Sequence, residues 1–80
     1  MKYLQRSIKA VISEGEESGY VGSCFNLPIV TQGVTFDEVV RNLKEAIELH
    51  FGDEDAEKMG YINNPIVIIM YEMVPAYSRR

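Results

Sequence analysis

The segment from Gly33 to Gly52, GVTFDEVVRNLKEAIELHFG, decides the fold because it predicts one helix with a single apolar face. Thr35 is placed to cap the helix, and Glu38 follows at the spacing that lets its carboxylate reach back to the amide of Thr35. Glycine adopts the left-handed conformation of a helix terminus at little cost, so Gly52 ends the helix. The apolar residues recur every three or four positions and share one stripe: Phe36, Val40, Leu43 and Ile47. A stripe this wide predicts a helix from Phe36 to Phe51 that covers a sheet.

Four β-strands are predicted around this helix. The first, Tyr3 to Ser13, alternates apolar and polar residues with the two-residue period of a half-buried strand. A glycine-bearing connection leads to the second strand, Tyr20 to Phe25. The break at Asn26-Leu27-Pro28 precedes the third, Ile29 to Gln32, because proline donates no hydrogen bond to a ladder. The fourth, Ile66 to Tyr71, is continuously apolar and rich in β-branched residues.

The connection from the helix to the last strand, residues 52–64, is predicted as a polar loop. Asp53 is placed to cap one turn that runs through Met59, and Asn63-Asn64-Pro65 predicts a turn directly before the last strand. The cluster Asp53-Glu54-Asp55 lacks the alternating acids and the sixth-position glycine of an EF-hand loop, so a solvated loop is favoured over a calcium site.

The predicted order of elements, β-β-β-α-β, defines an α+β fold. A right-handed crossover places the helix over one face, and pairing of the last strand beside the first gives a sheet order of 3-2-1-4. The last strand, apolar on both faces, is expected to be covered by the helix and a second subunit, or by the C-terminal segment. The partly apolar open face predicts a homo-oligomer or a protein partner. One domain is expected over residues 1–80, with a core at about 3–73 and a tail at 74–80.

Charge favours a protein partner over a nucleic acid. Eleven of the 12 acidic residues lie between Glu14 and Glu57, where Arg41 and Lys44 are the accompanying bases. This acidic middle repels phosphate backbones and attracts a basic protein, although an acidic surface that serves only solubility remains the alternative. No apolar run approaches the roughly 18 to 20 residues of a membrane span, so a soluble, cytoplasmic protein without membrane contact is predicted.

Residues for catalysis are few, and the sequence predicts a protein that is not an enzyme. Cys24 and His50 are the single cysteine and the single histidine, and neither has a neighbour at metal-ligand or catalytic spacing. Cys24 is interpreted as a small buried hydrophobe in a strand, and His50 as a residue suited to a helix C-terminus. The order of elements resembles the first part of a ribonuclease H fold, but the first strand, Leu4 to Ile12, contains no acid to hold a catalytic metal. No metal or cofactor is predicted.

Three segments carry a resemblance to a known family: YVGSCFNLP at 20–28, TQGVT at 31–35, and NLKEAIE at 42–48, with Asp37 and Glu38 between the last two. Together they resemble the N-terminal domain of HicB-type antitoxins over about residues 3–51. The resemblance implies a partial ribonuclease H-like fold without the nuclease acids. It also implies a role, because a HicB antitoxin masks a small basic HicA toxin that cleaves messenger RNA using a histidine.

Two departures from the family pattern qualify the resemblance. Pro28 is followed by Ile29 where many members have Pro-Gly, and the segment to Thr31 is shorter. Full antitoxins often continue into a helix-turn-helix or ribbon-helix-helix DNA-binding domain, whereas this chain ends at Arg80. A short stand-alone HicB-like protein without DNA binding is therefore expected.

A partner-binding surface is predicted on the helix. Leu49 projects away from the apolar stripe toward acidic and polar residues, which makes a docking spot for a basic protein, although an isolated exposed leucine without a function is the simpler alternative. The predicted surface consists of Glu38, Asn42, Glu45, Glu48 and Leu49. Two functions stay open: an antitoxin-like protein that neutralises a HicA-type toxin, and a structural or assembly module that forms a homo-oligomer through its open sheet face.

Overall fold

Four β-strands and one long α-helix follow one another in the order β-β-β-α-β in the computed structural model, which describes residues 3–52 and 54–75. A short 3₁₀ turn, Ala56–Met59, precedes the last strand. The elements are β1 (Gln5–Glu14), β2 (Tyr20–Cys24), β3 (Val30–Gly33), α1 (Phe36–Phe51) and β4 (Tyr61–Glu72). The predicted α+β class and order of elements are confirmed.

The strands form one mixed sheet in the order β3-β2-β1-β4. β1 is central: it pairs antiparallel with β2, where Ala10 lies opposite Cys24, and parallel with β4, where Ile8 lies opposite Val67. A parallel pair requires a crossover connection, and α1 with its flanking loops supplies it between β3 and β4. The predicted order 3-2-1-4 is confirmed.

The core lies between α1 and the face of the sheet that it covers. On β1, Ile8, Ala10 and Ile12 are at most 2% exposed, in agreement with the alternation in the sequence. The buried residues of α1 are Val39, Leu43 and Ile47, whereas Phe36 is 37% exposed. The buried stripe is thus rotated toward Val39 from the predicted one, because Phe36 packs its ring against Tyr20 and Tyr71 at the edge of the core.

The N-terminus of α1 is capped by side chains, as its sequence predicts. Thr35 Oγ1 accepts a hydrogen bond of 3.1 Å from the amide of Glu38. The Glu38 carboxylate reaches one residue further back than expected and accepts a bond of 2.6 Å from the amide of Val34. The first contact satisfies an amide group that the first turn of a helix leaves without a partner, and the second ties the residue before the cap to the helix.

Substitution of Thr35 by alanine is expected to lower the free energy of unfolding by about 1 kcal/mol, because the amide of Glu38 loses its acceptor. Urea denaturation followed by circular dichroism measures the change. Thr35→Ser keeps the hydroxyl and is the matched control, expected to stay near the wild-type midpoint. Equal losses in the two variants would mean that the hydroxyl does not stabilise the helix.

α1 lies mainly over β2 and β3 and contacts β4 at its far end through Phe36, whose ring lies 5.1 Å from that of Tyr71. It comes closest to the sheet at Gly22 and Gly33, where an added Cβ would lie 2.9 Å from Leu43 Cδ1 and 2.6 Å from Val39 N. A helix about 10 Å wide spans only two to three strands that are about 4.8 Å apart. The expectation that the helix covers one face of the last strand therefore holds only at Tyr71, and Val67 and Ile69 stay 40% and 36% exposed on that face.

β4 begins earlier than predicted and contains an irregularity. Its pairing with β1 shifts between Tyr61, opposite Gln5, and Ile66, opposite Ser7. Asn64, in the shifted segment, has a φ of 54°, a value that asparagine tolerates better than most residues. The predicted turn at Asn63-Asn64-Pro65 is therefore an irregularity within the strand, because the chain resumes the ladder with β1 on both sides of it.

The turn before β4 is capped by a different residue from the predicted one. Asp55 Oδ1 accepts a hydrogen bond of 3.1 Å from the amide of Glu57, so Asp55 caps Ala56–Met59. Asp53, the predicted cap, lies outside the described residues, as does most of the predicted tail, at 76–80.

Candidate partner-binding surface

The two flanks of α1 differ in character, and the predicted surface residues divide between them. Four of these residues follow one another at helical spacing along one flank, which we call the acidic flank: Glu38, Asn42, Glu45 and Leu49. This flank faces the β3 edge of the sheet, because Asn42 Nδ2 donates a hydrogen bond of 2.8 Å to the carbonyl oxygen of Gln32. Leu49 is 82% exposed and Glu45 is exposed beside it. An apolar side chain next to a carboxylate is therefore available to a partner.

Two residues of the acidic flank also have structural roles. The Glu38 carboxylate is held by the amide of Val34, and the Asn42 amide group ties α1 to β3 through Gln32. Both side chains are half-buried. The capping-box spacing in the sequence indicates the backward contact of Glu38, although to Thr35 instead of Val34, but nothing in the sequence indicates the bond from Asn42 to Gln32.

Glu48 lies on the opposite flank of α1 from Leu49. There it lines a groove of about 680 Å³ between the helix and β4, which we call the α1–β4 groove. The floor is apolar and consists mainly of Ile8, Val67 and Ile69, while Lys44 and Glu48 stand on the helix side. The structure thus brings four of the five predicted residues together and separates Glu48 from them.

The α1–β4 groove was not predicted from the sequence. It exists because α1 lies mainly over β2 and β3, so Val67 and Ile69 on the helix-facing side of β4 are only partly covered by the described residues. Val40, Ile47 and Phe51 form its helical wall, and Pro65 lies at its strand side. A signal for it is present in the sequence: the last strand is apolar on both faces, while a single helix is available to cover it.

Relatives of the chain were found among small proteins. Over 62 residues, 78% of this chain and 86% of the relative, it is 36% identical to a UPF0150 protein of Helicobacter pylori (strain J99 / ATCC 700824). Over 54 residues, 68% of this chain and 76% of the relative, it is 37% identical to a UPF0150 protein of Thermotoga maritima. The chain belongs to the UPF0150 family. No protein-family model matches it, and the search of solved structures gave no significant match.

The surfaces of this UPF0150 protein offer contact chemistry. The described residues that line the α1–β4 groove include no histidine, cysteine or serine. Across residues 3–52 and 54–75, no three histidine, cysteine or acidic side chains are grouped so that they could hold a metal ion. No helix in the same ranges is long and apolar enough to cross a membrane. Apolar contact and charge are what the acidic flank and the groove can provide.

Cys24 lies in a strand as predicted but is less buried than predicted, and His50 lies near the helix C-terminus as predicted. Cys24 is half-buried against the core of the UPF0150 protein, and desolvation by this burial raises the pKa of its thiol. A protonated thiol is a weak nucleophile at neutral pH. His50 lies in the last turn of α1, with its ring 5.8 Å from that of Phe51, where a histidine suits the helix C-terminus.

Proposed function

We propose that this UPF0150 protein is an antitoxin-like binding protein of the cytoplasm that neutralises a small basic HicA-type, mRNA-cleaving toxin by direct contact and has no enzymatic activity of its own. The acidic flank of α1 carries the proposal: Leu49 is 82% exposed and has Glu45 beside it. The resemblance of residues 3–51 to the N-terminal domain of HicB-type antitoxins names the class of partner. An overall charge of −4 suits a basic one.

The contact would combine an apolar anchor with charge attraction. A leucine that becomes buried contributes about 1.5–3 kcal/mol, and carboxylates around it steer a basic protein to the site and orient it there. Glu45 and Leu49 would touch the partner directly. Glu38 and Asn42 would hold the flank in place through their bonds to Val34 and Gln32.

The first experiment asks whether a partner of this chemistry exists. The product of the neighbouring reading frame, if it is short, basic and contains a histidine, is co-expressed with the tagged protein. We expect the two to co-purify at low salt, and we expect co-expression to restore growth that the basic protein alone arrests. Absence of association between the two purified proteins at low salt would refute the proposal.

The second experiment locates the contact with a pair of variants that change charge equally. Glu45→Lys lies on the acidic flank and Glu48→Lys on the groove side, and each adds a base four residues after an existing one, Arg41 or Lys44. We expect Glu45→Lys to weaken toxin binding at least tenfold in titration calorimetry, and Glu48→Lys to weaken it less than about threefold. Equal effects would indicate a general charge effect or a different interface.

A second function has its own supporting observation. β4 exposes apolar side chains on both faces, as expected of a non-enzymatic assembly module that forms a homo-oligomer. Such a module would form oligomers without any basic partner. The two functions are separated by measuring the oligomeric state of the chain at one concentration, first alone and then with the neighbouring gene product.

A further inference from the structure

β4 is an edge strand of an unusual kind. It is 12 residues long, lies at the end of the sheet order, and within residues 3–52 and 54–75 pairs only with β1. Eight apolar side chains, six in β4 and two directly after it, are 36–63% exposed: Ile66, Val67, Ile68, Ile69, Met70, Tyr71, Met73 and Val74. Natural edge strands are usually short, charged or covered, because an unpaired apolar edge is a template for another strand. No charged residue interrupts residues 66–71.

The paired segment would bring exposed apolar side chains of two copies together. Ile66 to Tyr71, the six apolar residues inside the proposed pair, are each 36–63% exposed, and Met73 and Val74 beyond the pair are 62% and 63% exposed. The chain alone is also extended for its size, with a radius of gyration of 14.7 Å against about 12 Å for a compact domain of 80 residues. β4 packs against β1 along one edge and has no strand on its other edge among the described residues.

We propose that β4 pairs antiparallel with β4 of a second copy of this chain, so that two four-stranded sheets become one continuous sheet of eight strands. The two copies would be related by a twofold axis, which closes the assembly at a dimer. Pairing would satisfy the unpaired backbone groups of both edges and bring the apolar side chains of the two strands against one another.

The composition of the open sheet face favours edge pairing over stacking of two sheets face to face. Ile66, Ile68 and Met70 share that face with Lys9, which lies directly beside Ile68 in the ladder and is exposed. Stacking would bury the ammonium group of Lys9, at a cost of several kcal/mol without a partner. Edge pairing leaves Lys9 in solvent, so it gains the apolar contact without that cost.

Charge and proline also select the register of the pair. Directly opposed residues of two identical antiparallel strands lie on the same face of the joined sheet, so the twofold axis must pass beside a residue. An axis at Ile68 places Ile66 opposite Met70 and Val67 opposite Ile69. Glu72 then lies opposite Asn64, and the two Glu72 side chains are at opposite ends of the pair. An axis at Ile69 would instead place each Glu72 opposite Ile66. The pairing would end at Pro65, which has no amide hydrogen to donate.

The dimer leaves the acidic flank of α1 free. That flank faces the β3 edge, since Asn42 bonds to Gln32, and β3 and β4 lie at opposite ends of the sheet. Pairing through β4 is therefore independent of toxin binding, and each can fail without the other.

Disulfide cross-linking of the full chain tests the pairing in a Cys24→Ala background, which removes the single native thiol. Directly opposed residues of an antiparallel pair have Cα atoms about 4.5 to 5.5 Å apart, within reach of a disulfide. We expect Ile68→Cys to form a covalent dimer under mild oxidation, and a mixture of Val67→Cys and Ile69→Cys chains to form the mixed dimer. Leu49→Cys, 82% exposed on α1, is the control and is expected to stay monomeric on a denaturing gel.

Each outcome decides for or against edge pairing. A Val67–Ile69 cross-link supports it, because both side chains lie on the groove side and cannot meet if the open faces stack. A cross-link at Ile68 without the Val67–Ile69 product would overturn it in favour of face stacking. Cross-linking of Leu49→Cys as efficient as that of Ile68→Cys would overturn it as random collision.

Sedimentation equilibrium of the unmodified chain provides the second measurement. We expect a dimer at micromolar concentration, and we expect Ile68→Lys to weaken dimerisation at least tenfold with a native circular dichroism spectrum, since Ile68 is already 41% exposed. If the unmodified chain is still a monomer at a concentration 100-fold above micromolar, the proposal is refuted. This result does not depend on whether the Ile68→Lys variant folds.

Discussion

Replacing Leu43 by alanine is expected to lower the free energy of unfolding by about 2–5 kcal/mol. Leu43 is 0% exposed and belongs to the core cluster beneath α1, so truncation removes buried methyl groups and leaves a cavity. A domain of 80 residues is stable by only about 4–12 kcal/mol, so the loss is a large share of the total. Urea denaturation monitored by circular dichroism at 222 nm, a wavelength sensitive to α1, measures it.

Leu49→Ala is the matched control, because it makes the same chemical change on the same helix. Leu49 is 82% exposed, so its truncation is expected to change stability by no more than about 0.5 kcal/mol. Similar losses in the two variants would contradict the assignment of which face of α1 is buried. The same Leu49→Ala protein, folded but without its exposed leucine, is suited to the toxin-binding assay.

The architecture could be predicted because its local and long-range signals agree. Thr35 and Gly52 mark the ends of α1 by cap chemistry that depends only on neighbouring residues. The alternation in β1 indicates its buried face through Ile8 and Ile12. Right-handed crossover then leaves few places for the last strand, and the position beside β1 is the one observed.

The elements that cover the two faces of β4 could not be predicted, because its sequence indicates only that both faces are apolar. What covers them depends on where the helix lies, and that is set by the two glycines that let α1 approach β2 and β3. The strand pattern also hides the irregularity at Asn64, since an Asn-Asn-Pro sequence is typical of a turn as well as of a bulge. The α1–β4 groove follows from both features.

The position of the candidate surface could be predicted from the sequence, but the contacts made by its residues could not. Helical projection groups Glu38, Asn42, Glu45 and Leu49 correctly, because it requires only the helical period. It cannot show that Asn42 bonds to Gln32, ten residues earlier, since this contact depends on the packing of α1 against β3. Helical projection also does not show which part of the sheet each flank faces. Glu48, adjacent to Leu49 in sequence, lines the groove, and the projection did not indicate this.

The two proposed contacts use opposite edges of one sheet, and this arrangement has a functional consequence. A dimer through β4 would carry two acidic flanks, one at each far end of the eight-stranded sheet, so it could hold two basic partners at once. The Ile68→Lys variant would then bind one toxin per monomer with little change in intrinsic affinity. Stoichiometry from titration calorimetry, one partner per chain in both proteins, is the expected result.

Replacing Gly33 by alanine is expected to destabilise the protein by about 3 kcal/mol, the upper part of the range for overpacking. Gly33 ends β3 where the first turn of α1 crosses it, and an added Cβ would lie 2.6 Å from Val39 N and 3.0 Å from Val39 Cα. Both are backbone atoms, so no side-chain rotation relieves the contact. The helix must move away from the sheet, which loosens the packing of Val39, now 0% exposed.

Gly22→Ala separates this backbone contact from simple crowding. Its added Cβ would meet side-chain atoms only, at 2.9 Å from Leu43 Cδ1 and 3.3 Å from Val39 Cγ2. Side chains adjust more readily than a helix backbone, so we expect a smaller loss of about 1–2 kcal/mol. Thermal and urea unfolding of the two variants should rank Gly33→Ala below Gly22→Ala in stability. The reverse order would mean that α1 lies further from β3 than from β2, in which case the helix would extend toward β4 and narrow the groove beside it.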